Sequence, residues 1–199
     1  GLANRSNTVV LYNTAQLYKG IDANLNLGLL FSSDDQEGGG SLNRRDLYVN
    51  VGTTITPHPT MTLTLYYLGK KSHATGGGQS VSGDTTENRL DLGASWSPFR
   101  SLFLSATVNV VSATDQKTSI QQSYGFNWTP FPDGQLQFSF YYSDNYYPDR
   151  STILQPSLRW YFSPKRNSYI DLSYQMNHAE SGGLTTETNT ISSSLKIYF

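Results

Sequence analysis

The chain has no cysteine among its 199 residues. That removes disulfide frameworks, Cys-ligated zinc, iron–sulfur sites and thiol catalysis together. Long apolar runs are missing as well, and none approaches the ~18 residues that a spanning helix requires. No charge of one sign prevails: 14 Lys and Arg stand against 15 Asp and Glu, for a net charge of −1. Duplex binders concentrate Lys and Arg into a basic field, so nucleic acid is not an expected partner. No signal peptide is visible at Gly1, so a secreted chain would stand here in mature or trimmed form. What is plentiful is neutral polarity. Ser, Thr, Asn and Gln supply 69 residues against 29 charged ones. An aromatic content of 13% is too rich for a disordered chain, and the length suits one domain. Composition alone describes an ordinary soluble polar domain.

The order of the residues describes something else. Helical periodicity is absent almost everywhere, and alternation with period two is almost everywhere. Ile21, Ala23, Leu25, Leu27, Leu29 and Phe31 share one parity, while Asp22, Asn24, Asn26 and Gly28 fill the other. Successive strand side chains point to opposite faces, so this segment has one apolar and one polar face. Similar rows recur through Leu47–Ile55, Met61–Tyr67, Leu90–Trp96, Leu102–Val110, Ile120–Trp128, Leu136–Tyr142, Leu158–Phe162, Ile170–Met176 and Ile191–Phe199. A weaker row around Asn7–Leu17 brings the expected strand count to eleven.

Connections are expected to alternate in length. Short ones centre on Lys19-Gly20, Pro57-His58-Pro59, Pro98-Phe99-Arg100, Pro130 to Gly134 and Pro164-Lys165-Arg166. Mostly longer polar ones lie between them: Ser32–Asn43, Ser72–Thr86, Ala113–Lys117, Ser143–Arg150 and His178–Glu187. The glycine runs at 38–40, 76–78 and 182–183 fit loop tips, because a phosphate-cradling loop should open a helix and each of these leads to a strand. Trp96-Ser97-Pro98-Phe99 returns as Trp128-Thr129-Pro130-Phe131, 32 residues on, with degenerate copies at Ile55-Thr56-Pro57-His58 and Phe162-Ser163-Pro164-Lys165. In each copy a proline follows the strand end and stops the ladder.

Alternation alone does not separate a membrane barrel from a soluble sandwich. Three features favour the barrel. Most rows alternate for about 9 to 12 residues, the span of a tilted transmembrane strand, against about five or six in soluble sheets. Trp96, Phe99, Trp128, Phe131, Trp160, Phe162 and Phe199 gather at the short-turn ends, and Tyr66, Tyr67 and Tyr142 at the opposite ends, as two aromatic girdles would. Short turns on one side and long loops on the other complete the pattern. The final segment, Ile191 to Phe199, resembles the terminal strand of Gram-negative outer-membrane β-barrels, which ends in Phe after alternating apolar residues. Ser193 departs from that alternation. The resemblance is to the porin-like class as a whole, with looser likeness to exopolysaccharide-export barrels and to the barrels of porin–cytochrome conduits.

That resemblance implies an antiparallel, up-and-down transmembrane β-barrel in the bacterial outer membrane. Lipid bilayer and lipopolysaccharide would be its surroundings, and Phe199 would be read by the assembly machinery. Eleven is odd, whereas single-chain bacterial barrels close with even numbers, so a twelfth strand or a larger barrel is expected. Pro156, on the apolar parity, predicts a bulge or a strand starting near Ser157. The inward parity carries Asp22, Asn24, Asn26, Asn50, Arg89, Asp91, Asn127, Arg159, Asp171 and Lys196 as lumen-lining candidates. Arg89, Arg159 and Lys196 are expected to pair with Asp22, Asp91 and Asp171, giving mixed-sign walls and weak ion selectivity. About twelve strands would leave a narrow or partly occluded pore.

No catalytic constellation stands out. His58 lies between two prolines at the short-turn side, while His73 and His178 are loop-side histidines near Asp84 and Glu180. Asp34, Asp35 and Glu37 read as solvated loop charge, and three scattered histidines do not make a metal site. The expected function is therefore a non-enzymatic pore or channel without cofactor or metal, for passive transport or export of small polar solutes or polymer. The alternative is a structural or adhesion barrel that holds a partner in its lumen or on its loops. A partner protein or an oligomer is compatible with either.

Overall fold

A chain of alternating residues has no stretch in which a helix would bury an apolar stripe, and among the described residues strands take all the regular structure. The structure, a computed structural model, describes residues 4–35, 41–76, 81–147, 149–163 and 167–197. Eleven strands follow one another: β1 (Asn4–Tyr18), β2 (Ile21–Asp35), β3 (Ser41–His58), β4 (Met61–Gly76), β5 (Val81–Phe99), β6 (Leu102–Ala113), β7 (Ser119–Trp128), β8 (Leu136–Tyr147), β9 (Arg150–Tyr161), β10 (Tyr169–Ser181) and β11 (Leu184–Lys196). They form one up-and-down sheet in sequence order, with β1 and β11 at its edges. Among the described residues no ladder joins β1 to β11. Both edge strands are exposed along their whole length.

The loops expected to be long are mostly strand. β2 and β3 continue past the apolar rows to Asp35 and Ser41, and β10 and β11 meet at a two-residue turn, Gly182–Gly183. Backbone pairing does not need apolar side chains, so the ladders extend through polar sequence until a turn stops them. Gly182 and Gly183 have φ of 57° and 81°, the left-handed pair that a tight hairpin favours. Gly20, at φ 79°, closes the β1–β2 turn in a similar way. Phe199, the 38–40 glycine triplet, Glu37 and the Lys165-Arg166 turn lie outside the described residues.

Pro156 brings a second correction: there is neither a bulge nor a late start. β9 runs from Arg150 through Tyr161, and Phe140 of β8 lies opposite Pro156. On the β10 side the ladder skips from Ser157 to Leu154 and resumes in unchanged register. The missing N–H is thus absorbed as a local gap in one ladder.

Cα packing divides the chain into two units, Gly1–Ile55 with Thr64–Asp91 and Val110–Thr118, and Thr56–Leu63 with Leu92–Asn109 and Ser119–Phe199. In the first, the register aligns the parities. Leu25 faces Val51, Leu27 faces Val49 and Leu29 faces Leu47, while Asn26 faces Asn50 and Asp22 faces Thr54. In the second, Trp128 and Phe126 of β7 stack on Phe138 and Phe140 of β8, each at 5.6 Å between ring centroids, and Tyr124 stacks on Tyr142 at 6.3 Å. Such aromatic cross-strand pairs pin a register, because a one-residue slip would move every ring to the other face.

The 32-residue repeat also has a structural counterpart in the second unit. Ser97 N–H donates to Thr60 O at 2.8 Å and Thr129 N–H to Ser101 O at 2.8 Å. Tyr161 N–H donates to Gln135 O at 2.7 Å, a further 32 residues along. Each of these residues follows an aromatic at a strand end, so the repeat ties each hairpin to the turn of the one before it.

No hydrophobic side chain is buried among the described residues. The buried residues with polar or charged side chains are Asp46, Ser72, Ser143, Asp144 and Ser168. The large apolar side chains are exposed instead, Trp96, Trp128 and Trp160 at 48, 43 and 49%.

Candidate functional site

The polar parity of β1–β4 gathers several of the lumen candidates. Asn26 and Asn50 face each other across β2 and β3, and Asn50 Nδ2 donates to the Tyr66 hydroxyl at 2.8 Å. The side-chain oxygens of Asn24, Asn26 and Asn50 are buried and accept from no protein donor. Asp22, Asn24, Thr14, Gln16, Thr54 and Tyr66 line a hollow of about 480 Å³. Two glycines make this packing possible. A Cβ on Gly28 would collide with the hydroxyl end of the Tyr48 ring, and one on Gly52 with the Asn24 amide. Gly28→Ala is accordingly expected to cost about 1–3 kcal/mol, the usual price of overpacking. In a Tyr48→Ala background the same substitution should cost nearly nothing, and denaturant titration of the four variants checks this.

The charged candidates form pairs on this parity. Arg159 makes a forked contact with Asp171, Nε to Oδ1 at 2.6 Å and NH2 to Oδ2 at 2.9 Å. Its guanidinium also lies over the Tyr169 ring at 4.7 Å. Such a planar fork matches a carboxylate and stacks on an aromatic face at once. Arg89 Nε meets Asp91 Oδ2 at 2.8 Å. Lys196 stands 6.0 Å from the Tyr169 ring centroid. Asn127 faces Ser139 across β7 and β8. Two of the expected partnerships are thus present, with Asp22 forming none of the ion pairs described here.

A third ionic cluster was not anticipated. Asp46, 3% exposed, contacts Arg44 Nε at 2.8 Å and Lys70 Nζ at 3.6 Å, with Ser72 close by. These residues flank stretches whose polarity resembles loop sequence, and only their shared parity with Asn50 could have pointed to them. Asp144, 1% exposed, was missed for the same reason. It accepts from Thr152 Oγ1 at 3.0 Å and from the Tyr142 hydroxyl at 3.3 Å, and Arg150 Nε lies 3.9 Å away.

Against this geometry, no protein-family model matches the chain, and no curated protein matches it. Function has to be argued from the residues themselves.

The aromatic candidates divide by parity. Trp96, Trp128, Trp160, Tyr67 and Tyr142 share the apolar parity, and the Tyr67 hydroxyl donates to Asn88 Oδ1 at 2.9 Å. Phe99, Phe131 and Phe162 are exposed at or beside turns, Phe162 edge-on to Trp160 at 6.4 Å. Tyr66 turns the other way, to the polar parity beside Asn50. Adjacent strand residues cannot both face the apolar side, so only one of the Tyr66-Tyr67 pair does.

Each loop-side histidine meets a carboxylate. His73 Nδ1 contacts Asp84 Oδ1, with Lys71 Nζ 3.3 Å from the other oxygen, and His178 Nε2 lies 3.0 Å from Glu180 Oε1. Among the described residues no group of three or more His, Asp or Glu could hold a metal ion.

Proposed function

We propose that the chain is the wall of an outer-membrane β-barrel pore with a polar, mixed-charge lumen, passing small polar solutes or polymer passively. One observation carries this reading: the polarity is inverted, with no buried hydrophobic side chain among the described residues and with apolar side chains such as Leu25, Phe31, Leu47, Trp96, Trp128, Trp160 and Leu172 exposed on the apolar parity of their strands. A sheet in water must cover its apolar face with another layer, whereas acyl chains cover it in a bilayer at no such requirement. Strands of 10 to 19 residues are long enough to cross the hydrocarbon layer at a tilt and continue beyond it. Buried amide oxygens and ion pairs on the opposite parity suit a wet wall.

The forked Arg159–Asp171 pair and the compensated Asp46 favour one rival, a polar plug in which the same face scaffolds a partner without conducting. Planar-bilayer recording of the purified protein separates the two. The pore reading expects stable conductance steps with a reversal potential near zero in a salt gradient, because the walls carry both signs. Silent insertion, with the protein demonstrably in the bilayer, would favour the plug. Strong preference for one ion sign would contradict the balanced wall.

A further inference from the structure

We infer that the outer surface of β1–β4 carries a docking site for the phosphate of a membrane lipid headgroup, centred on Arg5 and Arg45. The proposal rests on the membrane reading above and adds a specific ligand chemistry to it. On the apolar parity of β2 and β3, Phe31 and Leu47 are the last apolar residues before the strand ends. Phe31 lies opposite Arg45, and Arg45 holds its guanidinium over the Phe31 ring at 5.4 Å from the centroid. The charge is thereby fixed one step beyond the apolar row, where acyl chains end and headgroups begin. Arg5, facing Ser33, lies on the same parity.

Arg5, Arg45 and His73 line a hollow of about 320 Å³ together with Asn7, Ser33 and Asn43. Among the described residues no carboxylate lines it. Among the described residues neither arginine enters an ion pair, whereas Arg44, Lys70, Lys71, Arg89, Arg150 and Arg159 all do. Asp84, on the same parity of β5, is already engaged by Lys71 and His73. Two guanidinium forks in a hollow bordered by amides and hydroxyls are suited to phosphate oxygens, which accept bidentate bonds from Arg. The apolar row directly beneath favours a phosphate that arrives with acyl chains over a free anion.

The test uses the full chain in detergent micelles, titrated by native mass spectrometry with phosphatidic acid, with phosphatidylcholine and with inorganic phosphate. Flotation with vesicles of phosphatidylcholine containing one-tenth phosphatidic acid runs in parallel. For the wild type, phosphatidic acid should be retained at least tenfold more tightly than phosphatidylcholine, and inorganic phosphate should not displace it at equal concentration. Arg5→Gln/Arg45→Gln should lose that tenfold preference while still floating with vesicles. If the double variant keeps the preference, or if inorganic phosphate displaces the lipid at equal concentration, the headgroup site is overturned and the membrane reading stands. If the wild type floats with no vesicle, both fall together.

Discussion

Arginine at Leu25 or Leu172 is expected to lower the stability of the bilayer-assembled protein by about 2–4 kcal/mol each, the cost of that side chain on the lipid face of a barrel. The two positions are on β2 and β10, which are not neighbours in the sheet order, so the effects should add. In the structure Leu25 is 38% exposed and Leu172 is 45% exposed. In water, replacing a side chain so exposed changes stability by roughly ±0.5 kcal/mol. The difference between those magnitudes decides what covers the apolar face. Ser173→Arg, one residue from Leu172 and therefore on the opposite parity, should stay near the water value. Denaturant titration of vesicle-reconstituted variants reads all three. Equal small effects at Leu172 and Ser173 would mean that water, not lipid, meets the apolar row.

Removing both cations around Asp46 is expected to cost about 3 kcal/mol, toward the low end for breaking a buried pair because Arg44 is itself 47% exposed. The carboxylate of Asp46 is 5% exposed, and its compensation comes from Arg44 at 2.8 Å and Lys70 at 3.6 Å. Arg44→Gln or Lys70→Gln alone leaves one cation in place and should cost markedly less than the pair. Adding Asp46→Asn to the double variant should recover most of the loss, since no buried charge then lacks a partner. A double variant as stable as the wild type would show that solvent reaches Asp46 freely. An additional Asp46→Asn that lowers stability further would show that the carboxylate contributes by another route.

Alternation made the strands legible, and the shared face of Leu25 with Val51 or of Phe126 with Phe140 follows from it, whereas the register itself does not. Proline and glycine marked the turns, because neither continues a ladder at those positions. The Arg159–Asp171 and Arg89–Asp91 pairs were legible as well, since shared parity on neighbouring strands in the first case and along one strand in the second leaves few alternatives. The strand ends were not. Between Ser32 and Asn43, or between His178 and Glu187, polar composition reads as loop although the backbone goes on pairing. Arg44, Asp46 and Lys70 flank such extensions and Asp144 lies in the one between Ser143 and Arg150, so the Asp46 cluster and the separate Asp144 site were hidden with them. Arg5 and Arg45 were hidden too, because what distinguishes them is that neither meets a carboxylate among the described residues, which a sequence does not display. Tyr66 shows a different limit: a Tyr-Tyr doublet signals an aromatic end, but parity assigns just one of the two rings to it.

The odd-numbered side chains of β2 are expected to face lipid and the even-numbered ones are not. With no native cysteine to interfere, single cysteines at 22, 23, 24, 25, 26 and 27 can each carry a spin label in reconstituted vesicles. Collision with oxygen, which concentrates in acyl chains, is compared with collision with a water-soluble nickel chelate. Labels at 23, 25 and 27 should favour oxygen and those at 22, 24 and 26 the chelate, with a period of two. Chelate-dominated collisions at 23, 25 and 27, or no alternation along the six positions, would contradict the account.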